Sequence, residues 1–161
     1  MTLDSVFLLI LIIIANGAPV ILRALLGSRF SWPIDFGFRL PDNEPVFGKA
    51  KTWRGLAVAL PVTAVAAALF GYSLETGALV ALYALGGDLL SSFIKRRLRM
   101  APHSMAPLLD QVPESLLPAV MLRDIFELTI ESIIILVCAF IIAELVLSYI
   151  FYKLGIRKKP Y

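Results

Sequence analysis

The run Ile133–Leu154 is apolar almost throughout, with Glu144 and Lys153 as its charged members. A helix that crosses a hydrocarbon core takes about 20 such residues. Leu3–Leu26 is a second run of the same kind. A chain built around such runs must close its backbone hydrogen bonds internally, which restricts it to membrane-crossing helices or a closed barrel. The length of the runs selects helices. Composition agrees: 59% of residues are hydrophobic and the mean hydropathy is +0.84, against about 45–50% apolar residues in a soluble domain. The expectation is a single all-α transmembrane domain over residues 1–161.

Five spans are expected: Leu3–Leu26, Gly55–Tyr72, Gly77–Phe93, Ser115–Phe126 and Ile133–Leu154. Asn16, Gly17 and Pro19 interrupt the first, and Pro19 should kink it by removing a donor. Asn16 brings an amide into the membrane, either to satisfy a helix contact or to place a headgroup or metal. Val6–Leu26 is longer than the roughly 7–15 residues of a signal-peptide core, so a retained helix is expected. The fourth span is short and holds Pro118 and Arg123. It either crosses tilted, with Arg123 snorkelling, or turns back within the layer. Cys138 stands alone in an apolar run and reads as an inert packed or lipid-facing thiol.

Charge decides between those options. With the N-terminus outside and five crossings, the loops at 27–54 and 94–114 and the tail at 153–161 face the cytoplasm. They hold all but Arg23 and Arg123 of the 15 Lys and Arg residues. Asp4, Glu75, Asp124, Glu127 and Glu131 fall outside. Such asymmetry sets orientation in the cell (inner) membrane, and a fourth segment that failed to cross would put the basic tail on the wrong side. The cations flank apolar segments, so headgroups and phosphates are the expected partners and nucleic acid is not.

The two polar loops share one face and carry the chemistry. The first is far longer than a plain connection and ends in Phe47–Gly55. There Gly48 and Gly55 allow close approach of a ligand, Lys51 and Arg54 offer a point charge and a fork, and Thr52 adds a hydroxyl. The spacing is not that of a P-loop, and topological anchoring is the plainer use of these cations. The second feature is Gly87–Arg97, GDLLSSFIKRR. Asp88, Ser91, Ser92 and Lys95 share a helix face, Arg96 and Arg97 follow, and Leu109-Asp110-Gln111 closes the loop. Asp88 and Asp110 could hold Mg²⁺, which takes one or two carboxylates plus phosphates. A salt bridge from Asp88 to Lys95 or Arg96 is the simpler alternative. His103 reads as a solvated loop residue, and Glu144 as a functional mid-membrane acid or one bonded to a neighbouring helix.

Three blocks resemble the CDP-archaeol synthase family, small CTP-dependent lipid-phosphate cytidylyltransferases related to phosphatidate cytidylyltransferase. They are Phe47-Gly48-x-x-Lys51-Thr52-Trp53-Arg54-Gly55, then Gly87-Asp88 with Ser92-Phe93-x-Lys95-Arg96-Arg97, and Leu109-Asp110-Gln111. Tyr152-Lys153-Leu154-Gly155-Ile156-Arg157 is similar to the family ending. Two departures stand out. Pro113 takes the place of a family acid, with Glu114 next to it as a substitute, and Pro41-Asp42-Asn43-Glu44-Pro45 replaces an Asp/Gly-rich turn.

The resemblance implies that a lipid phosphate attacks the α-phosphorus of CTP and expels pyrophosphate, leaving a CDP-lipid. It implies Asp88, Lys95, Arg96 and Asp110 as catalytic residues. Lys51, Thr52, Arg54, Ser92 and Arg97 would bind CTP and phosphates. Mg²⁺ would sit on Asp88 and Asp110, with Glu114 as a further candidate. The acceptor would be an isoprenoid ether lipid phosphate or a diacyl one. The competing reading is a non-catalytic scaffold or transporter whose cations only set topology. The Asp-rich signature of the CDP-alcohol phosphotransferases is absent, and a homodimer stays open.

Overall fold

The computed structural model describes residues 2–100, 106 and 108–156. His103 and the tail cations Arg157, Lys158 and Lys159 lie outside the described residues. The chain forms five helices, α1 (Leu3–Leu26), α2 (Trp53–Leu69), α3 (Leu74–Arg97), α4 (Gln111–Met121) and α5 (Ile130–Lys153). The all-helical expectation holds. α1, α3 and α5 are long and apolar enough to cross a membrane.

Hydroxyl caps set most of the starts. Thr2, Thr52, Ser73 and Thr129 accept from the backbone N–H groups of Ser5, Gly55, Thr76 and Ser132, satisfying donors that a first turn leaves open. The Ser73 cap starts α3 at Leu74 rather than Gly77. At its other end α3 runs past Phe93 to Arg97, because Lys95, Arg96 and Arg97 suit the negative end of a helix dipole. Residues 94–97, expected in a loop, are therefore helical. So are Trp53 and Arg54, which open α2.

The fourth helix differs most from expectation. It spans Gln111–Met121 rather than Ser115–Phe126. Pro113 is tolerated because it sits in the first turn, where its missing N–H has no partner to lose. After Met121 the chain turns, and Arg123 Nε donates to the Leu128 carbonyl at 3.0 Å instead of snorkelling. α1 continues helical through Pro19.

Lipid offers no hydrophobic drive for helices to associate, so small residues must let backbones meet. Gly55, Ala59, Thr63 and Ala67 form a buried stripe at every fourth position of α2. Facing it, a Cβ on Gly77 of α3 would lie 2.6 Å from the Ala64 Cα and the Ala67 Cβ. Farther along α3, a Cβ on Gly87 would lie 2.1 Å from the Pro113 carbonyl oxygen. Only glycine lets α4 rest on α3 there. Larger side chains fill the centre: Leu8, Leu11 and Ile12 of α1 meet Val80, Phe126, Leu136 and Phe140.

One end of the bundle is sealed by rings. Phe7 stacks on Phe70 with centroids 4.7 Å apart, and Tyr72 packs on Phe126 at 4.8 Å. The Tyr72 hydroxyl donates to Asp4. The opposite end is open, and the polar loops gather there.

Candidate active site

The loop between α1 and α2 is held by one carboxylate. Asp35 accepts from the N–H groups of Gly37 at 3.0 Å, Phe47 at 2.9 Å and Gly48 at 2.8 Å. Partial burial pushes this carboxyl up, but the Gly48, Phe47 and Gly37 bonds outweigh it and hold it below the usual carboxylate value. Beside it, Ile34 N–H donates to the Lys51 carbonyl at 2.9 Å and Trp53 N–H to the Trp32 carbonyl at 3.1 Å. Gly48 turns the chain at φ +90°, a conformation that suits glycine. Lys51 thereby leaves the loop aimed at α3.

Lys51 Nζ reaches both carboxylate oxygens of Asp88 at 2.5 Å. About two turns along α3, Lys95 Nζ binds the Asp110 oxygens at 2.8 and 3.0 Å. The salt bridge weighed as the simpler alternative, from Asp88 to Lys95 or Arg96, gives way to these two longer-range pairs. Glu114 joins them: Gly87 lets the start of α4 approach, so the Glu114 and Asp88 carboxyls act on each other electrostatically. Burial pushes the Lys51 ammonium down, yet Asp88, then Glu114 and Asp110, raise it above the usual lysine value. Asp110 also accepts from the Ala106 N–H at 3.2 Å.

These groups line a cavity of about 1090 Å³ at the open end of the bundle. Lys51, Thr52, Asp88, Ser92, Lys95, Asp110 and Glu114 form its polar side. The opposite wall comes from α1 and α5, including Ile13, Asn16, Val20 and Arg23 and then Glu144, Leu145 and Phe151. Asn16 Nδ2 is buried in that wall with no hydrogen-bond partner among the described residues. One site thus has a charged side and a largely apolar side.

Two expected phosphate ligands are occupied elsewhere. Arg54 lines the cavity, but its guanidinium donates to the Gly27 carbonyl at 2.7 Å and to the Arg29 carbonyl, closing the root of the loop. Arg97 holds Asp42 at 2.5 Å and the Pro45 carbonyl at 2.5 Å, and lies over the Phe93 ring. It latches the 42–45 turn rather than facing the cavity. Arg96 is buried beneath Gly48 and is also outside the lining. Thr52 caps α2 from the cavity rim.

Asp35 and Arg23 were not legible as site residues. Asp35 binds 12 and 13 residues away, across a loop without periodicity. Arg23 had a signal: Asn16, Val20 and Arg23 are spaced four and three apart, as one face of a helix requires.

Among the described residues no three His, Cys, Asp or Glu side chains are close enough to hold a metal ion. Mg²⁺ does not need three, because substrate phosphates and waters complete its shell. The nearness of the Asp88 and Glu114 carboxyls, brought about by the close approach at Gly87, fits it, since two ionised carboxylates stay together only with a proton or a cation between them. Asp110, the other expected ligand, is paired with Lys95 on the same wall.

The family model "CarS-like: CDP-archaeol synthase" matches residues 1–161. The chain belongs to the CDP-archaeol synthase family. A CDP-archaeol synthase of Hyperthermus butylicus is 39% identical over 116 residues, covering 68% of this chain and 66% of that protein. One of Pyrobaculum arsenaticum is 33% identical over 156 residues, covering 92% of each. A solved chain described as an intramembrane enzyme for archaeal membrane lipids biosynthesis superposes with TM-score 0.75 at 28% identity, over 92% of this chain and 94% of that one. As a CDP-archaeol synthase family member with long apolar helices, this is an integral membrane protein. The motif resemblance and the membrane fold therefore agree. The family sequence blocks are also the ones that meet in space: Lys51 from the first, Asp88 and Lys95 from the second, Asp110 from the third.

Proposed function

We propose that this protein transfers a cytidylyl group from CTP to a membrane lipid phosphate. A phosphate oxygen of the lipid forms a bond to the α-phosphorus of CTP. The bond from that phosphorus to the bridging oxygen breaks, and pyrophosphate leaves with the electron pair. The products are a CDP-lipid and pyrophosphate. The observation that carries this reading is the cavity, where two lysines and three carboxylates from separate segments share one lining with the largely apolar residues of α1 and α5.

No protein nucleophile is needed, because the acceptor is already an anion; positioning and charge neutralisation supply the rate. Asp88 and Glu114 would hold Mg²⁺, with substrate phosphates and water completing its shell. When bound, it would offset the charge of the triphosphate. Lys51 and Lys95 exchange their carboxylate partners for phosphate oxygens as CTP enters. Arg23, on the facing wall, meets the acceptor's phosphate, and Asn16 its neighbouring oxygens. The lipid chains leave between α1 and α5, with an isoprenoid ether lipid as the family expectation. A scaffold whose cations only set topology gives no reason for Lys51 and Lys95 to be folded onto acids inside a cavity.

Five crossings fit the same geometry. Asp110 is bound to Lys95 at one end of α3 and Phe126 packs on Tyr72 at the other, so the segment that includes α4 travels the length of α3. With the N-terminus outside, the site and the C-terminus face the cytoplasm, in line with the cation asymmetry. The test is to incubate purified protein with CTP, Mg²⁺ and a panel of lipid phosphates and to weigh the products. A CDP-lipid formed by the native protein and lost in Asp88→Ala supports the reading. No product from any acceptor, from folded protein, refutes it.

A further inference from the structure

The loop between α1 and α2 has a face that the transfer site does not use. Phe30, Trp32, Phe36 and Phe38 are 65–76% exposed, and Trp53, at the end of the loop, is 42% exposed. Phe36 and Trp53 stand together, ring centroids 6.1 Å apart. So many exposed aromatic side chains on one segment are an apolar surface of the kind that marks an interaction site. Phe30 and Phe36 hold φ values of 54° and 47°, a left-handed conformation uncommon outside glycine. The frame around Asp35 keeps the segment in this shape.

Three features say what covers the face. The loop starts where α1 ends and finishes where α2 begins, so its roots lie at one membrane surface. Cations flank the rings along the chain: Arg29 and Arg39 are exposed, and Arg54 ties the loop to the end of α1. Aromatic rings beside Arg and Lys are the composition of a membrane–water boundary, where each side chain has an apolar body or a charged head to place. Finally, the loop closes much of its own backbone. Ile34, Phe36, Phe38, Leu40, Val46 and Trp53 donate their N–H groups to carbonyls of Lys51, Pro33, Asp35, Glu44, Phe38 and Trp32. A segment leaving water needs that internal pairing; a loop in free solution does not.

We propose that this aromatic face is an interfacial anchor, seated in the headgroup–acyl boundary of the same bilayer that α1 and α2 enter. The aromatic rings lie below the phosphate plane and the arginines meet anionic headgroups. Because the same loop carries Lys51, seating it fixes the depth of the cavity relative to the lipid phosphates. The anchor itself rests on the chain being a membrane protein. Its effect on turnover rests on the transferase reading.

The chain has two tryptophans, Trp32 and Trp53, and both belong to this face, so intrinsic fluorescence reports on it directly. The full chain, reconstituted in vesicles of phosphatidylcholine and phosphatidylglycerol, is compared with and without bromine on the acyl carbons near the headgroup. Trp53→Phe isolates Trp32, and Trp32→Phe isolates Trp53. The anchor predicts that brominated lipid quenches Trp32 strongly while aqueous iodide does not. Quenching by iodide without quenching by bromine would place the loop in water and overturn the proposal. Protection from both would show a protein cover, a second copy of the chain included, and would overturn it equally.

Turnover supplies the second arm. Trp32→Asp with Phe38→Asp should raise the KM for an acceptor embedded in vesicles about tenfold, the factor carried by losing part of one aromatic side chain's burial. The KM for CTP should not move. An unchanged KM for the acceptor would contradict the anchor. The quenching result does not depend on turnover, so failure of the anchor and failure of the transferase reading are told apart.

Discussion

At the residue scale, Lys51 is the hinge of the account. It brings the first loop to Asp88 and keeps the Asp88–Glu114 pair supplied with a cation. Lys51→Met should lower kcat by on the order of 10²–10³-fold, as loss of one preorganised charge in a water-poor site does. Lys51→Arg should restore little, because a planar fork does not replace a point charge between two carboxylates. Steady-state kinetics with saturating CTP checks both. Asp35 makes a different prediction. Its folded carboxyl titrates below the usual 3.8, so its contribution to stability is complete above that value and is lost as pH falls through the lower folded one. Melting curves should show Asp35→Asn less stable than the native chain by a constant margin above about pH 5, with the gap closing towards pH 3. Asp35→Ala should also cost on the order of 10²-fold in activity by letting Lys51 drift. The motif residues were legible because chemistry repeats in sequence blocks. Asp35 was not, because its role is to bind backbone groups that only the folded loop brings near.

At the scale of elements, two glycines on α3 do opposite things for function. Gly87→Ala would force the Pro113 carbonyl away from a Cβ placed 2.1 Å from it. Overpacking of this kind costs about 1–3 kcal/mol, and here it also lifts Glu114 off Asp88. Gly77→Ala meets α2 at 2.6 Å, far from the cavity. Both variants should melt at lower temperature, but only Gly87→Ala should weaken the Mg²⁺ dependence of turnover. Equal loss of Mg²⁺ dependence in the two would contradict the placement of Glu114. Hydrophobic runs placed α1 at its observed bounds and α5 with a start three residues late, at Ile133 rather than Ile130, because Thr129 caps the helix ahead of the unbroken apolar stretch. α4 starts four residues earlier than the apolar run suggested, because its first turn is polar and Pro113 breaks nothing there. The extension of α3 was missed because its last turn is polar, and that turn is held by charge rather than by burial.

At the scale of the whole molecule, the bundle is closed by rings at one end and opened by charge at the other. That polarity predicts sidedness. With Cys138 replaced by Ser, a cysteine at Glu75 or Asp124 should react with an impermeant thiol reagent from outside intact cells. One at Lys49 should react only after the membrane is opened. Labelling of Asp124 and Lys49 from the same side would remove the fourth crossing. The fold class and the facing of the two polar loops were legible from apolar runs and charge bias. An apolar groove between spans, with Asn16 near its polar end, was legible too; that α1 and α5 are the spans that form it was not, since it depends on how they come together around residues that read as ordinary span.

The central claim is that this cavity moves the α-phosphorus of CTP onto a lipid. The most direct measurement supplies CTP labelled at the α- or at the γ-phosphorus to protein in vesicles containing a lipid phosphate, and follows label into the lipid fraction. α-Label should enter the lipid with one pyrophosphate released per label, γ-label should leave in the pyrophosphate, and Asp88→Asn should abolish both. γ-Label in the lipid would make the protein a kinase, and absence of either label from the lipid, with folded protein, would contradict the account altogether.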